Sequence, residues 1–320
     1  MKTKEVALAH PVVPILSGPT ASGKTALALE AAEKFGGIEL INADSLCIYR
    51  GMDIGTAKPT REERSRIPHH LVDIRNPSEE FTAGDFVREV KSAVESIHAR
   101  GKRALIVGGT GFYLKALRFG LWDAPPAEPK LRKDLEALPL SELHRELSEK
   151  DPASAQRIGP SDLYRLVRAV EILRLSGKTP TELQAQAPSE PSRSFPLWVI
   201  DRTAEELDAR ILLRAEGLLR AGLLEETRAL LEQFPGARPL KSVGYAECVL
   251  YLSGQTPSGR TVAPGEAGLR DEITLGTRQL ARRQRKWFRN QKPEKRFQLD
   301  QDHSALLQEL RAWFENPNAR

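Results

Sequence analysis

Apolar and polar positions in the first 120 residues alternate in blocks, not singly. An apolar run over 12–16 has the length of a buried strand and leads straight into a glycine-bearing turn. A helical pattern follows from Lys24 to about Phe35 and stops at the Gly36-Gly37 pair. A second apolar run covers 38–41, a helix through 86–99 ends at Gly101, and 103–107 reads as another buried strand before Gly108-Gly109-Thr110-Gly111. Strands alternating with helices predict an α/β fold, a parallel sheet covered by helices on both faces.

From Trp122 the pattern changes. Pro125, Pro126, Pro129 and Pro139 punctuate short amphipathic helices, and no strand is convincing until 195–200. Residues 123–190 are therefore expected to form a mostly helical insertion domain, with 1–122 and 191–320 making the core. Within the insertion, Leu163, Leu166, Val167 and Val170 mark an apolar helix face, while Arg165 and Arg168 share another that is either solvated surface or a binding face. After the strand at 195–200 a long helical pattern spans 204–234, in which Arg210 and Arg214 stand four apart. A loop over 257–264 precedes a helix that carries Ile273, Leu280 and Trp287 on one stripe and Arg278, Arg282, Arg285 and Arg289 on another. No internal repeat or low-complexity tract is evident.

The turn after the first strand reads Gly18-Pro19-Thr20-Ala21-Ser22-Gly23-Lys24-Thr25, the G-x4-G-K-[ST] phosphate loop. A glycine-rich turn ending at a helix N-terminus aims backbone N–H groups, the helix dipole and a lysine at one point, and its Thr hydroxyl suits Mg2+. The bland alternative is an ordinary tight turn. With it, the core reads as P-loop NTPase-like and the ligand as a diphosphate or triphosphate, whether transferred, hydrolysed or displaced. NTPases keep an acidic residue at a buried strand end to order Mg2+ and water. Here 105–107 run into glycines with no carboxylate. The nearest suitable acid is Asp44, just past the second strand, where open α/β sheets place ligands; from position alone a cap or turn residue is the better reading.

Composition narrows the setting. With 320 residues and 40% hydrophobic content the chain can bury a full core, and nothing resembles a membrane span. Glu5, His10, Pro11 and Pro14 interrupt any apolar leader. Cys47 and Cys248 stand far apart, against a disulfide framework or a cysteine zinc site and in keeping with a cytoplasmic protein. His69 and His70 are adjacent, a poor spacing for a helical metal pair. The net charge of +5 is local: residues 278–296 hold nine Lys/Arg against one Glu, leaving −3 elsewhere. Such concentration points to a polyanionic partner rather than to solubility.

Seven stretches together carry a resemblance. They are the phosphate loop 18–25, Asn42-Ala43-Asp44-Ser45 through Pro59, Pro68-His69-His70-Leu71-Val72-Asp73-Ile74, Val107 through Tyr113, Asp162-x-x-Arg165-x-x-Arg168-Ala-Val-Glu171, Lys241-Ser-Val-Gly-Tyr245, and Arg278 through Gln284 with Trp287. In this order, over about residues 12–290, the chain closely resembles the tRNA dimethylallyltransferase (tRNA isopentenyltransferase, IPP transferase) family. The resemblance implies transfer of a dimethylallyl group from dimethylallyl diphosphate to N6 of adenosine 37, just 3′ of the tRNA anticodon. It makes the loop a grip on a leaving diphosphate, so no NTPase acid is needed.

Site residues follow from the same resemblance. It makes Asp44 the general base, puts Thr110 near the amine, and gives the diphosphate to Gly18, Thr20, Ala21, Ser22, Gly23, Lys24, Thr25 and Arg214. Arg210 is preferred to Arg214 as the catalytic diphosphate arginine, and Thr25 is expected to hold Mg2+, the one cofactor implied. The anticodon stem-loop is assigned to Asp44, Ser45, Leu46, Cys47 and Thr110, to Arg132, Tyr164, Arg165, Leu166, Val167 and Arg168 in the insertion, and to Lys241, Gly244, Tyr245, Arg282, Arg283, Gln284, Trp287 and Arg289. A monomer with no membrane partner is expected. Two departures bear on RNA rather than on prenyl transfer: Cys47 stands where the family usually has Gln, and Ala246 where it usually has a basic residue. The rivals are a small-molecule P-loop kinase, which leaves the arginine ridge idle, an adenine-nucleotide prenyltransferase, which does not require it, and a non-catalytic RNA-binding module.

Overall fold

The computed structural model describes residues 12–257, 259 and 261–315. Glu5, His10 and Pro11 of the leader argument, and residues 258 and 260 of the expected loop, lie outside the described residues. Six strands form one sheet: β1 (Ile15–Ser17), β2 (Ile38–Asn42), β3 (His69–His70), β4 (Arg103–Val107), β5 (Leu197–Asp201) and β6 (Lys295–Gln298). Their order is β3-β2-β4-β1-β5-β6, and every pairing is parallel. All C-terminal ends therefore point the same way, and the loops after β1, β2, β4 and β5 share one edge of the sheet.

Side chains along the central strands alternate between two cores, as the pleat requires. Ile15, Ile41, Ile106, Leu197 and Val199 face the helices Ala83–Ala99 and Gly111–Phe119 through Phe86, Val90, Ile97 and Leu114. Leu16, Leu40, Leu105, Trp198 and Ile200 face Lys24–Phe35 and the C-terminal helix Leu299–Glu315 through Ala28, Leu306 and Leu310. Both faces are covered, which is why these strands read as continuous apolar runs. A third core joins Ile48 and Met52, from the segment after β2, to Leu223, Tyr245 and Ile273.

The chain divides into two compact units: one runs to Arg118 and resumes at Ser192, and the other spans Phe119–Pro191. The second is all helical among its described elements, with Leu135, Leu143, Leu147, Leu166 and Val170 in its own core.

Several expectations are corrected in detail. The pattern over 204–234 is two helices, Ala204–Arg220 and Leu223–Gln233, because Gly222 takes φ +99° and breaks the run. The first strand lies at Ile15–Ser17 and the fifth at Leu197–Asp201, shifted C-terminal of the apolar runs that announced them. β6 is an edge strand whose Lys295-Arg296-Phe297-Gln298 alternates half-buried with exposed. No described helix is long and apolar enough to cross a membrane.

Candidate active site

The phosphate loop leaves β1 through Ser17, whose buried hydroxyl donates to the Gly108 carbonyl at 2.5 Å and so ties the loop to the turn after β4. Gly18 admits no side chain, since a Cβ there would lie 2.4 Å from the Ile200 carbonyl oxygen. Ala21 and Gly23 take φ of 66° and 96°, the left-handed pair that curls the backbone before the helix Lys24–Phe35. Ser22 Oγ is buried without a partner, an unmet polar atom inside an anion cradle.

Lys24 and Thr25 line a pocket with Thr20, Asp44, Cys47 and Arg214. Burial lowers the Lys24 pKa to about 8; Asp44 pulls it up and Arg214 pushes it further down. Arg214 is held the same way, its pKa lowered by burial and raised in part by Asp44, with Nη2 reaching the Thr56 carbonyl at 3.4 Å. Two partly desolvated cations facing one carboxylate make a site whose cationic half lacks a full counter-charge, as suits a polyanionic ligand.

Asp44 is both things that its position allowed. Oδ1 accepts from the Leu46 backbone N–H at 2.9 Å, a turn of Asx type, while Oδ2 has no hydrogen-bond partner among the described residues. The turn is braced from behind: Asn42 Oδ1 accepts from the Asp44 N–H at 3.0 Å, and Asn42 Nδ2 donates to the Asp44 and Leu71 carbonyls at 2.9 and 3.0 Å. Thr110 Oγ1 accepts from the Ser45 N–H at 2.9 Å and donates to Ser45 Oγ at 3.3 Å. Gly108 lets the two loops touch, because a Cβ there would fall 2.2 Å from the Ala43 carbonyl carbon. Thr110 therefore acts on the geometry of the Asp44 turn. Leu46 is half-buried against the third core, and burial pushes the Cys47 thiol up to about 12, so it is not a nucleophile.

The two arginines expected at the diphosphate are placed differently. Arg214 lines the pocket, whereas Arg210 is exposed and donates through Nε to the Ala21 carbonyl at 2.8 Å. One helical turn separates them on the same face, and the earlier one reaches the outside of the phosphate loop while the later one reaches the pocket.

Thr25 and Asp44, facing the same pocket, offer a hydroxyl and a carboxylate. This all-oxygen set fits Mg2+, which takes one or two protein oxygens and completes its shell from phosphate and water. Among the described residues no three His, Cys, Asp or Glu side chains could hold a metal by themselves, so an ion here would depend on the diphosphate. His69 also lines the pocket, with Nδ1 2.7 Å from the Ile67 carbonyl, while His70 Nε2 pairs with Glu39 at 2.7 Å.

The long basic helix, Gly265–Arg289, divides its cations. Arg278 pairs with Asp208 at 3.3 Å and Arg285 with Asp201 at 3.0 Å, but Arg282, Arg283, Lys286 and Arg289 are exposed with no acidic partner among the described residues. Gln284, assigned to RNA, is turned inward: Oε1 accepts from the Thr20 N–H at 2.8 Å and Nε2 donates to the Gly109 carbonyl at 3.1 Å. Trp287 packs its indole against Gly111, where a Cβ would lie 2.8 Å from the ring. Tyr245 is fully buried and donates to Glu226 at 2.6 Å, and Gly244, at φ +95°, donates to Glu247 at 2.6 Å; neither presents a free side chain to RNA. Lys241 is exposed.

In the helical unit, Arg132 and Arg168 both donate to the fully buried Glu171, at 3.0 and 2.6 Å. Arg165 and Tyr164 stay exposed. The assignment of Leu166 and Val167 to RNA is corrected for their side chains, which are 0% and 2% exposed in that unit's core. Helical periodicity had already put them on the apolar face; the motif's continuity overrode it. Glu171, Glu226 and Asn42 are the residues that motif reading passed over as site-builders: Asn42 lines the pocket while bracing the Asp44 turn, and Glu171 and Glu226 act from outside it.

Residues 47–291 match the model of the IPP transferase family. A relative from Citrifermentans bemidjiense, named tRNA dimethylallyltransferase 1, is 43% identical over 280 residues, covering 86% of this chain and 88% of its own. Among solved structures, the full-length tRNA isopentenylpyrophosphate transferase of Bacillus halodurans superposes with a TM-score of 0.65 at 33% identity, covering 95% of each chain. A eukaryotic dimethylallyltransferase acting on tRNA gives a TM-score of 0.72 at 28% identity, over 87% of this chain and 70% of that one. With its fold, its phosphate loop and the Asp44 turn in one sheet edge, the chain belongs to the IPP transferase family.

Proposed function

We propose that this protein transfers the dimethylallyl group of dimethylallyl diphosphate to N6 of adenosine 37 of tRNA, releasing diphosphate. The observation that carries this is the pocket itself: Lys24, Arg214 and Asp44 line it together, and β4 ends in glycines rather than an acid. A carboxylate that enters the pocket from the turn after β2, with no acid at the end of β4 to order a water, suits a proton acceptor for an amine better than a guide for water. The small-molecule kinase reading leaves the four unpaired cations of the basic helix without a role.

In this reading the N6 lone pair attacks the allylic C1, the C1–O bond breaks, and its electron pair leaves on the diphosphate. Asp44 accepts the N6 proton through Oδ2. A weakly basic carboxylate suffices because N6–H becomes acidic only as the C–N bond forms. Lys24, Arg214 and the loop N–H groups stabilise the charge that grows on the departing diphosphate. Bound Mg2+, held through Thr25 and phosphate oxygens, would add Lewis-acid charge neutralisation there. Adenosine 37 must leave its stack to reach the sheet edge, at a cost on the order of a few kcal/mol that backbone contacts from exposed cations offset. The protein is proposed to work as a cytoplasmic monomer on the anticodon stem-loop.

Incubation with dimethylallyl diphosphate, Mg2+ and unmodified tRNA should give N6-dimethylallyladenosine on nucleoside analysis. Asp44→Ala should lower the rate by about 10²–10⁴-fold while retaining tRNA affinity. ATP turnover with no prenylated nucleoside would overturn the reading.

A further inference from the structure

The segment between β2 and β3 forms one wall of the pocket through Thr56 and Ala57, and it has no regular secondary structure of its own from Asp53 to Pro59. Ala57 takes φ +48°, a left-handed value that a non-glycine residue holds only when its surroundings impose it. Two groups impose it, one buried and one half-buried. Lys58 Nζ, its side chain 1% exposed, donates to the Tyr49 carbonyl at 2.7 Å and pairs with Asp53 and Asp73 at 2.6 Å each.

Glu226, in the first turn of the helix Leu223–Gln233, is the other. Oε2 accepts from the Asp53 and Ile54 backbone N–H groups at 2.9 and 2.8 Å, and Oε1 from Gly55 N–H at 3.0 Å. The Tyr245 hydroxyl supplies a fourth donor to Oε1 at 2.6 Å. Burial, with Glu226 beside it, raises the Tyr245 pKa, so the phenol stays a donor throughout the working range. Gly55 has no Cβ because one would fall 2.5 Å from the Tyr245 ring. Three successive backbone N–H groups converging on one carboxylate fix the peptide planes that lead into Thr56, whose carbonyl receives Arg214 Nη2.

We infer that Glu226, fixed by Tyr245, is a positioning residue for diphosphate binding: it sets the Asp53–Gly55 backbone so that the Thr56 carbonyl aims the Arg214 guanidinium into the pocket. The inference rests on the proposed function only for the identity of the ligand. Glu226→Gln cannot be neutral. The carboxylate accepts at both oxygens, so whichever way the amide turns, its NH2 meets at least two donors. Tyr245→Phe removes only one of the four bonds.

The variants are compared by isothermal titration with inorganic pyrophosphate and by steady-state kinetics with dimethylallyl diphosphate and tRNA. Glu226→Gln should weaken pyrophosphate and raise the KM for the allylic diphosphate about tenfold, and Tyr245→Phe about threefold, the scale of charge-assisted and single neutral bonds. The kcat per active site and the KM for tRNA should stay within about twofold. A purely structural role would lower the unfolding temperature and the active fraction while leaving pyrophosphate affinity and KM unchanged, and that result would overturn the inference. Equal losses in kcat and in both KM values would do so as well. If Glu226→Gln fails to fold, Tyr245→Phe decides by the same two readouts. If the wild type makes no N6-dimethylallyladenosine, the proposed function fails while the pyrophosphate titration still tests the positioning.

Discussion

Lys24 and Arg214 in the pocket, and Arg282, Arg283, Lys286 and Arg289 on the basic helix, carry the same charge and meet anions by different physics. The pocket pair is partly stripped of water, with pKa values lowered by burial, and is aimed by backbone carbonyls. The helix cations are exposed and unpaired, on a rigid element of 25 residues. Desolvated, oriented cations bind one small anion in one geometry, and their contribution resists salt. Solvated cations on a ridge bind many phosphates loosely, and their contribution is released counter-ion. The helical unit lies between these cases: Arg132 and Arg168 are partly exposed but share the buried Glu171, which orients them.

The largest effect should come from the pocket. Arg214→Ala removes a charge that the site has already desolvated, and should cost about 3 kcal/mol of diphosphate affinity, roughly a hundredfold in KM. Arg210→Ala should cost only a few-fold, because that guanidinium braces the Ala21 carbonyl from an exposed position. Steady-state KM for dimethylallyl diphosphate in the two variants checks this; equal losses would return both arginines to one role.

Those two arginines show what the sequence could and could not reveal. The sheet was legible because the central strands are buried on both faces, so their apolar runs stand out without alternation. β6 was not, because an edge strand reading Lys-Arg-Phe-Gln resembles a solvated segment. The phosphate loop and Asp44 were legible because their chemistry is local: a turn, a helix N-terminus and a strand end. Arg210 against Arg214 depended on where along one helix the pocket lies, and spacing of four puts both on the same stripe, one turn apart. Gln284 and Tyr245 lie in the right motifs, yet their side chains bond inward to Gly109, Thr20 and Glu226, contacts that depend on tertiary placement.

Lys24 makes the pocket's electrostatics testable by pH. Burial holds its pKa at about 8, well below the ordinary 10.5, and a bound diphosphate must raise it again by restoring an anionic neighbour. Above pH 8 the complex thus binds more protons than the free protein, and diphosphate affinity should fall by up to about tenfold per pH unit. Folding stability of the free protein should move the opposite way. Between about 8 and 10.5 the unfolded chain holds the proton that folded Lys24 has lost, so this term raises stability as pH rises and is fully unfavourable below 8. Pyrophosphate titrations from pH 7 to 9.5 check the binding limb, with Lys24→Met expected to be weak and flat. A wild-type affinity equally flat across that range would mean that Lys24 is not desolvated in solution.

The smallest expected effect is on the helix, and it separates the two kinds of cation most cleanly. Each exposed cation that touches a tRNA phosphate releases condensed counter-ion, so the slope of log affinity against log salt should fall by about 0.7–0.9 for each one removed. Arg282→Ala with Arg283→Ala should therefore flatten that slope by about 1.5 while changing affinity only modestly near physiological salt. The KM for dimethylallyl diphosphate should not move, because neither residue lines the pocket. Glu171→Gln gives the contrast from the helical unit: it weakens the buried anchor that Arg132 and Arg168 share without removing a cation, so tRNA affinity should fall with the salt slope intact. Orientation and charge are then distinguishable by filter-binding or fluorescence titrations over a salt series. If Glu171→Gln flattened the slope as the double arginine variant does, the ion-paired arginines would be acting as diffuse charge, and the distinction between aimed and solvated cations would hold only inside the pocket.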